Sequence, residues 1–158
     1  MTPDPNRSAA SPRRMPAAFI SAPPRRVLFL CTRNSARSQI AEGLARKVAP
    51  EGTEIWSAGI EPSSIHPLAV EVMAEAGIEL KGQRSKLLDE VPWRDMDTIV
   101  SLCAEAEKAC PAVNGDMRRV HWPLDDPAAA PEPQARKAFR DTRDELRWRV
   151  ACLWPGNE

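Results

Sequence analysis

The sequence predicts a single three-layer α/β domain in which a four-stranded parallel sheet is flanked by helices on both faces. Short apolar runs of β-favouring residues alternate along the chain with longer stretches whose apolar residues recur every three or four positions. This alternation is typical of parallel strands joined by helical crossovers. The length of 158 residues allows one well-buried core and is too short for two.

Residues 1–24 are predicted to form a disordered tail, and residues 25–154 to form the domain. The tail is rich in proline and arginine, a composition that cannot bury enough apolar surface to fold. Arg13 and Arg14 precede a short apolar stretch, as in a twin-arginine export signal, but a proline interrupts that stretch. Export is therefore the less favoured interpretation, and Met15 stays open as a second possible start.

The first strand, predicted at residues 27–30, leads through a polar loop into a helix that buries Ile40, Leu44 and Val48. The loop comprises Cys31, Thr32, Arg33, Asn34, Ser35, Ala36, Arg37 and Ser38. A short loop entering a helix can turn its backbone N–H groups toward one point, where the helix start adds partial positive charge. The sequence therefore predicts an oxyanion-binding loop at the carboxyl end of this strand.

Three side chains of this loop are suited to chemistry on a bound anion. Cys31 is a candidate nucleophile, because a thiolate is favoured at a helix start beside a guanidinium. The planar fork of Arg37 can bind two anion oxygens, and Ser38 can donate a hydrogen bond to the sulfur. Asn34 is one of the few non-glycine residues that tolerate a left-handed turn. The alternative, a buried cysteine and an ordinary surface arginine, is less favoured between a strand and a helix.

Further strands are predicted at residues 54–58, 97–102 and 119–122. Pro67 is well placed to begin a helix that ends at Gly77. The inward-facing residues of that helix are predicted to be Leu68, Val72 and Met73. A short helix under a loop is predicted around Leu87, Leu88 and Val91. The last helix, within residues 133–153, is predicted to bury Phe139, Leu146, Val150 and Leu153.

Cys103, placed at the end of the third strand, and Cys110 are separated by six helix-favouring residues. In a helix the two thiols would lie about 10 Å apart along the axis, whereas a disulfide needs Cα atoms within roughly 7 Å. The thiols can pair only if the segment unwinds, and Pro111, Asn114 and Gly115 provide a pliant exit. Oxidation would then act as a conformational switch. Two independent core cysteines are the alternative.

Asp125 and Asp126 follow the fourth strand and precede Pro127. At the carboxyl end of the sheet, where ligands bind in such folds, one of these carboxyl groups can protonate an oxygen that leaves a bound anion. The alternative is that both aspartates cap a turn.

No metal site is expected. The spacing between Cys103 and Cys110 exceeds the usual two to four residues, and His66 and His121 are too scattered to complete a set of four ligands. Cys152, late in the last helix, is expected to serve packing.

The composition argues against several classes of function. The 22 basic and 22 acidic residues cancel, so no large field of one sign is available to bind nucleic acid or an anionic membrane. Nothing in the sequence approaches a membrane span. Four unevenly spaced cysteines are too few for a secreted disulfide scaffold, so a cytoplasmic location is expected. The chain is also expected to be a monomer.

With these motifs in place, residues 26 to about 152 resemble the thioredoxin-coupled arsenate reductases, which share the fold of low-molecular-weight protein tyrosine phosphatases. The resemblance rests on four features: VLFLCTRNSARSQIA at residues 27–41, the tripeptide Ser57-Ala58-Gly59, the pair Cys103 and Cys110, and HWPLDDPA from His121 to Ala128.

The resemblance implies that the chain reduces arsenate to arsenite for arsenic detoxification. Cys31 would attack arsenate, with the adduct held by the loop amides and Arg37, and Asp126 would be the acid. Cys103 would then attack Cys31 and release arsenite, and Cys110 would resolve the disulfide. No bound cofactor is implied, because reduced thioredoxin would return the two electrons.

The chain departs from this family at several positions. Arg33 stands where the family usually has glycine, which implies strain if φ is positive there and extra attraction for arsenate if it is not. Ala36 replaces a cysteine of many members, which costs the relay no step and removes a thiol open to over-oxidation. Some members hold a potassium ion near the loop, but Arg84 and Lys86 fall where its oxygen ligands are expected, so no such ion is predicted.

Two other functions stay open. A phosphatase acting through a phosphocysteine could use the same loop and acid, but such phosphatases usually carry tyrosines after the acid, and this chain has no tyrosine. They also have no use for Cys103 and Cys110. A sensor of arsenite or metal would use the thiols as ligands and would need no acid.

Overall fold

The predicted sheet is present in the computed structural model, which describes residues 23–110, 115 and 117–157. Its strands are β1 (Arg26–Cys31), β2 (Glu54–Gly59), β3 (Thr98–Ser101) and β4 (Arg118–His121). They lie in the order β2-β1-β3-β4, and every neighbouring pair is parallel. All but the last two residues of the predicted tail lie outside the described residues, as do Pro111 and Asn114.

Within the described residues, four α-helices flank the sheet, which confirms the predicted α/β class. They are α1 (Arg37–Val48), α2 (Pro67–Glu75), α3 (Ala104–Ala109) and α4 (Ala135–Ala151), with short 3-10 turns at Leu88–Glu90, Trp93–Asp95 and Pro127–Ala129. Helix α1 packs against β1, β2 and α4, whereas α3 packs against β1 and β3. In the described part of the chain, no helix has both the length and the apolar character needed to span a bilayer.

The predicted helix faces are largely confirmed. Pro67 begins α2, and His66 caps it by accepting a hydrogen bond at Nδ1 from the Leu68 amide at 3.0 Å. Val72 and Met73 are fully buried, and Leu68 is partly buried. The four apolar residues predicted for the last helix are also fully buried: Phe139, Leu146 and Val150 within α4, and Leu153 just beyond it.

The predicted end of the third strand needs correction. β3 ends at Ser101, and although the Leu102 amide still donates to the Leu30 carbonyl at 2.8 Å, Cys103 has left the sheet. The Cys103 sulfur instead accepts a hydrogen bond from the Ala106 amide at 3.4 Å and caps α3. The short helix predicted around Leu88 is a single 3-10 turn.

Candidate oxyanion-binding and redox site

The predicted oxyanion loop joins β1 to α1 at the carboxyl edge of the sheet. Its carbonyl groups are bound by the segment that follows β2: Thr32 accepts from the Ile60 and Glu61 amides at 2.8 Å, and Ser35 accepts from the His66 amide at 2.9 Å. The Arg33 carbonyl accepts from a further amide of the same segment at 3.1 Å. Because N–H and C=O point in opposite directions across a trans peptide, the amides of residues 33, 34 and 36 point away from that segment.

Close approach of β2 to the loop requires the glycine that ends the strand. A Cβ built on Gly59 would lie 2.9 Å from the Arg33 carbonyl carbon, the Asn34 nitrogen and the Thr32 oxygen. These are backbone atoms, which cannot move aside as a flexible side chain can. Gly59 therefore allows the loop to pack directly on the end of β2.

Asn34 is the centre of the loop's hydrogen bonds. Its side chain is fully buried, and its Nδ2 donates to Ser38 Oγ at 2.7 Å and to Ser57 Oγ at 3.0 Å. Its Oδ1 accepts from Gln39 Nε2 at 3.0 Å and from the Lys86 amide at 2.8 Å. All four hydrogen-bonding positions of the amide group are thus occupied, which fixes the conformation of the loop.

The left-handed residue of the loop is Asn34, with φ of 51°, as its side-chain chemistry predicts. It is the sole non-glycine residue with positive φ in the described part of the chain, so Arg33 does not carry the strain considered for it. Arginine at this position therefore adds positive charge to the loop without backbone strain.

Cys31 lies at the floor of the loop, with 2% of its surface exposed. Its sulfur is 2.9 Å from Ser38 Oγ. Since that hydroxyl already accepts a hydrogen bond from Asn34, its own hydrogen is free to be donated to the sulfur. The structure thus brings Cys31 and Ser38 together in the arrangement that suits a thiolate.

Behind the loop lies a buried ion pair that the sequence analysis did not identify. Lys86 Nζ is 3.7 Å from Glu42 Oε1 and donates to the Arg84 carbonyl at 2.7 Å, and Glu42 accepts from Ser57 Oγ at 2.5 Å. Burial lowers the pKa of the Lys86 ammonium, and the neighbouring Glu42 carboxylate opposes that shift. The Lys86 ammonium therefore lies close to oxygen atoms of Glu42 and Arg84. Glu42 is in turn linked to Asn34 through the hydroxyl group of Ser57.

One signal for this pair was present in the sequence. Glu42 follows Ser38 by four positions and Gln39 by three, which places the three side chains on one face of α1. The pattern does not identify Lys86 as the partner of Glu42, because the two residues lie far apart in sequence.

A cavity of about 540 Å³ opens above the loop. Its lining residues are Thr32, Arg33, Arg37, Cys103, Ala104, Glu105, Pro123, Leu124, Asp125 and Asp126. Thr32 Oγ1 is 3.2 Å from Cys103 Sγ, which joins the oxyanion loop to the start of α3. The structure thus places Cys103, two arginines and both candidate acids around one space, whereas Cys110 does not line it.

Arg37 and Asp126 face each other across this cavity. Arg37 is buried, donates from Nη1 to the Leu124 carbonyl at 3.0 Å, and lies 3.9 Å from Asp126 Oδ2 through Nη2. Its buried Nε has no hydrogen-bond acceptor within the described residues. Asp126 Oδ1 accepts from the Ala128 amide at 3.0 Å, so Asp126 caps the 3-10 turn that begins at Pro127 and also faces Arg37.

All four cysteines are free thiols. Cys103 and Cys110 flank α3 as its N-cap and C-cap, and both are nearly fully buried. Burial raises the pKa of Cys110, and the nearby guanidinium of Arg119 opposes this effect. A metal-binding group of three or more His, Cys, Asp or Glu side chains is not found within the described ranges.

Comparison with known proteins gives the family. Residues 26–154 match the model of the low molecular weight phosphotyrosine protein phosphatases. An arsenate reductase from Halalkalibacterium halodurans is 41% identical over 126 residues, which cover 78% of this chain and 91% of that protein. Among solved structures, an arsenate reductase in its oxidized state is 33% identical, with a TM-score of 0.72 and coverage of 82% of this chain and 95% of the other.

A thioredoxin-dependent arsenate reductase from Corynebacterium glutamicum is also similar, with 26% identity, a TM-score of 0.65, and coverage of 86% of this chain and 65% of the other. The family match over residues 26–154 spans the sheet, the oxyanion loop and α3. The chain therefore belongs to the low molecular weight phosphotyrosine protein phosphatase family and, within it, to the arsenate reductases.

Proposed function

We propose that this chain reduces arsenate to arsenite through a relay of Cys31, Cys103 and Cys110, and that reduced thioredoxin recycles it. The observation that carries the proposal is the placement of a second thiol beside an oxyanion loop that already contains a nucleophile. Cys103 lines the cavity above the loop and contacts Thr32 of the loop. Phosphoryl transfer through a phosphocysteine needs the loop and the acid but not this thiol.

In the first step, Cys31 attacks arsenic and displaces one arsenate oxygen as water. The amides of residues 33, 34 and 36 and the free Nε of Arg37 supply hydrogen bonds to the remaining oxygens. Asp126 supplies the proton that lets the oxygen leave, from a position 3.9 Å from the Arg37 guanidinium. Ser38 stabilises the thiolate before it attacks.

In the second step, the Cys103 sulfur attacks the Cys31 sulfur of the adduct. A sulfur–sulfur bond forms, the sulfur–arsenic bond breaks, and its electron pair remains on arsenic, which leaves as arsenite. Cys110 then attacks Cys103, forms the Cys103–Cys110 disulfide and frees Cys31. A dithiol donor reduces that disulfide, so the two electrons taken up by arsenate come from outside the chain and no bound cofactor is required.

Thioredoxin is proposed as the donor because the similar Corynebacterium glutamicum protein is a thioredoxin-dependent enzyme. A reducing compartment, the cytoplasm, is proposed because the relay begins from three thiols. The decisive experiment measures NADPH oxidation with arsenate, thioredoxin and thioredoxin reductase, and repeats it with glutaredoxin in place of thioredoxin. Arsenate-dependent oxidation is expected with thioredoxin, and none with glutaredoxin.

The relay itself is tested with Cys110→Ser. This variant should release one arsenite per chain and then stop, with a disulfide between Cys31 and Cys103 that peptide mapping detects. Cys152→Ser is the matched control and should turn over repeatedly. Sustained turnover of Cys110→Ser with thioredoxin would rule out the relay. Full phosphatase activity in Cys103→Ser, with no arsenate reduction by the native chain, would instead favour a phosphatase.

A further inference from the structure

Helix α3 is too short to be stable by itself and depends on contacts with the rest of the chain. It has six residues, whereas isolated helices shorter than about twelve residues are marginal in water. Of the six, only Ala106 is buried. At the start of the helix the Cys103 sulfur accepts from the Ala106 amide at 3.4 Å, but sulfur is a weak acceptor. A stronger contact is therefore needed to hold α3 in place.

Glu107 provides such a contact, because its carboxylate joins α3 to two strands of the sheet. Its Oε1 accepts a hydrogen bond at 2.6 Å from Oγ of Ser101, the last residue of β3. From β4, Arg119 Nη2 donates to Glu107 Oε2 at 3.3 Å and to the Glu107 carbonyl at 3.1 Å. The other charged residues of α3, Glu105 and Lys108, are exposed and make no hydrogen bond or ion pair with the described part of the chain.

The hydrogen bond between Ser101 and Glu107 has a defined direction. A serine hydroxyl has one hydrogen and an ionised carboxylate can only accept, so that hydrogen is donated to Glu107. His121 Nδ1, which is 2.8 Å from the same hydroxyl oxygen, must then donate to it. Hydrogen bonds to an ionised acceptor are roughly twice as strong as neutral ones. The Glu107 contact therefore stabilises α3 more than the sulfur cap at its start does.

This contact can break without leaving a buried polar group unpaired. Ser101 is 1% exposed, so its hydroxyl needs another acceptor, and the Val120 carbonyl oxygen lies 3.4 Å from it. The side chains of Glu107 and Arg119 are 38% and 34% exposed, so water can replace the partner of each. Unwinding of α3 therefore costs mainly the hydrogen bonds of Glu107, without the larger penalty of an unsatisfied buried group.

We propose that Glu107 is a positioning residue of the relay, which holds α3 as a helix and so keeps Cys110 out of reach of Cys103 until the last internal step. About 10 Å of helix rise separates the two thiols before that step. The inference rests on the proposed relay and assigns a further residue to it. In the step, the Cys110 thiol loses its proton to solvent and its sulfur bonds to Cys103. The Cys31–Cys103 bond breaks and its electron pair leaves on the Cys31 sulfur, so no outside oxidant or reductant enters.

The experiment follows single turnovers without thioredoxin, stopped with acid, alkylated and mapped by mass spectrometry. In Glu107→Ala, the Cys31–Cys103 disulfide should convert to Cys103–Cys110 about tenfold faster, the effect of losing one charge-assisted hydrogen bond that is partly exposed. Alanine is the best helix former, so helix propensity cannot cause the acceleration. The preceding burst should keep its amplitude of one arsenite per chain. Lys108→Gln is the matched control on the same helix and should leave the exchange near its native rate.

Ser101→Ala tests the contact from outside the helix. It removes the donor to Glu107 without changing the sequence of α3, and the exchange should become a fewfold faster, because Arg119 still holds the carboxylate. In a double variant with Glu107→Ala, the serine substitution should add nothing, since both changes remove the same hydrogen bond. Additive effects of the two changes, or an exchange in Glu107→Ala that is unchanged or slower, would overturn the inference.

A redox titration tests the inference without arsenate. In a Cys31→Ser background, oxidised glutathione can convert Cys103 and Cys110 to their disulfide and is itself reduced to two molecules of glutathione. Glu107→Ala should raise the equilibrium constant of this exchange about tenfold, because less stability is lost when α3 unwinds. An unchanged constant would overturn the inference even if the relay operates. A native chain that gives no arsenite and no intramolecular disulfide would instead overturn the proposed function, while the titration would still decide the role of Glu107.

Discussion

The oxyanion loop and α3 lie side by side in the cavity wall, yet they are stabilised very differently. Behind the loop, Asn34, Ser57 and Lys86 are buried and joined by several hydrogen bonds each. Helix α3 has six residues, of which only Ala106 is buried, and Arg119 anchors it with a side chain that is 34% exposed. Segments with few buried contacts open at lower free energy than well-packed ones. The loop is thus strongly stabilised, whereas α3, which the proposed relay requires to unwind, is weakly stabilised.

This contrast follows from the chemistry proposed for each region. The loop must hold arsenate, the nucleophile and the acid in one geometry, and small displacements there are costly. Cys103 and Cys110 cannot form a disulfide while α3 stays helical, because about 10 Å of helix rise separates them. A strongly stabilised α3 would therefore block the last internal step of the relay.

The largest expected effect comes from breaking the buried ion pair behind the loop. Lys86→Met removes the ammonium beside Glu42 Oε1, while Glu42 Oε2 keeps its ion pair with Arg46 at 2.7 Å. The free energy of unfolding should therefore fall by about 3 kcal/mol, the low end of the range for breaking a buried pair. The double variant Lys86→Met/Glu42→Gln should lose much less, because the buried carboxylate is gone and Arg46, whose side chain is half exposed, stays hydrated. Urea unfolding of both, with Lys81→Met as an exposed-lysine control, measures the difference. Equal losses in the single and double variants would show that the pair does not stabilise the loop.

How much of this region could be predicted from sequence depends on the range of the contacts. The order strand, loop, helix is local, and it was enough to place Cys31 and Arg37 and to assign the left-handed turn to Asn34. The ion pair of Lys86 with Glu42 joins residues far apart in sequence, and no periodic pattern indicates it. The end of β3 was misplaced because the Cys103 sulfur can serve as a helix cap, a role that apolar patterning does not reveal.

The next effect tests whether the loop needs its exact packing on β2. In Gly59→Ala, a methyl group meets backbone atoms of the loop at 2.9 Å, so the loop must shift. A displacement near 1 Å is expected to lower kcat/KM for arsenate by about a hundredfold. The rate of exchange between preformed Cys31–Cys103 and Cys110 should change far less. A similar loss in both steps would mean that the loop and α3 are not independent.

The acid gives an effect of comparable size within the same region. Asp126→Asn removes the proposed proton donor, which faces Arg37, and should slow arsenite release about a hundredfold or more. Asp125→Asn is the matched variant at the neighbouring position and should have a much smaller effect. Stopped single turnovers measure both. A sensor that only binds through its thiols would show no dependence on Asp126.

Weakening helix α3 should accelerate the last internal step of the proposed relay and not slow it. Lys108 is an exposed residue of α3, and Lys108→Gly lowers helix stability by roughly 0.5–1 kcal/mol. The exchange from Cys31–Cys103 to Cys103–Cys110 should then accelerate up to fivefold, since unwinding precedes it. Lys108→Ala, a strong helix former, should leave the exchange near its native rate. Slower exchange in Lys108→Gly would contradict the view that α3 has to unwind.

The smallest effect comes from a surface that belongs to neither region. Hydrogen bonds from Arg140 and Arg143 hold the pKa of Glu75 at about 2, well below its usual 4.5. Because the folded state has the lower pKa, Glu75 stabilises the fold above about pH 4.5, and that contribution is lost as the pH falls toward 2. Thermal unfolding of the native chain and of Glu75→Gln should therefore differ near neutral pH and converge in acid. At neutral pH the variant should keep both the arsenite burst and the Cys110 exchange, because an ion pair joining α2 to α4 supports the scaffold and not the motion of α3. A change in either rate would mean that the helical layer is coupled to the relay.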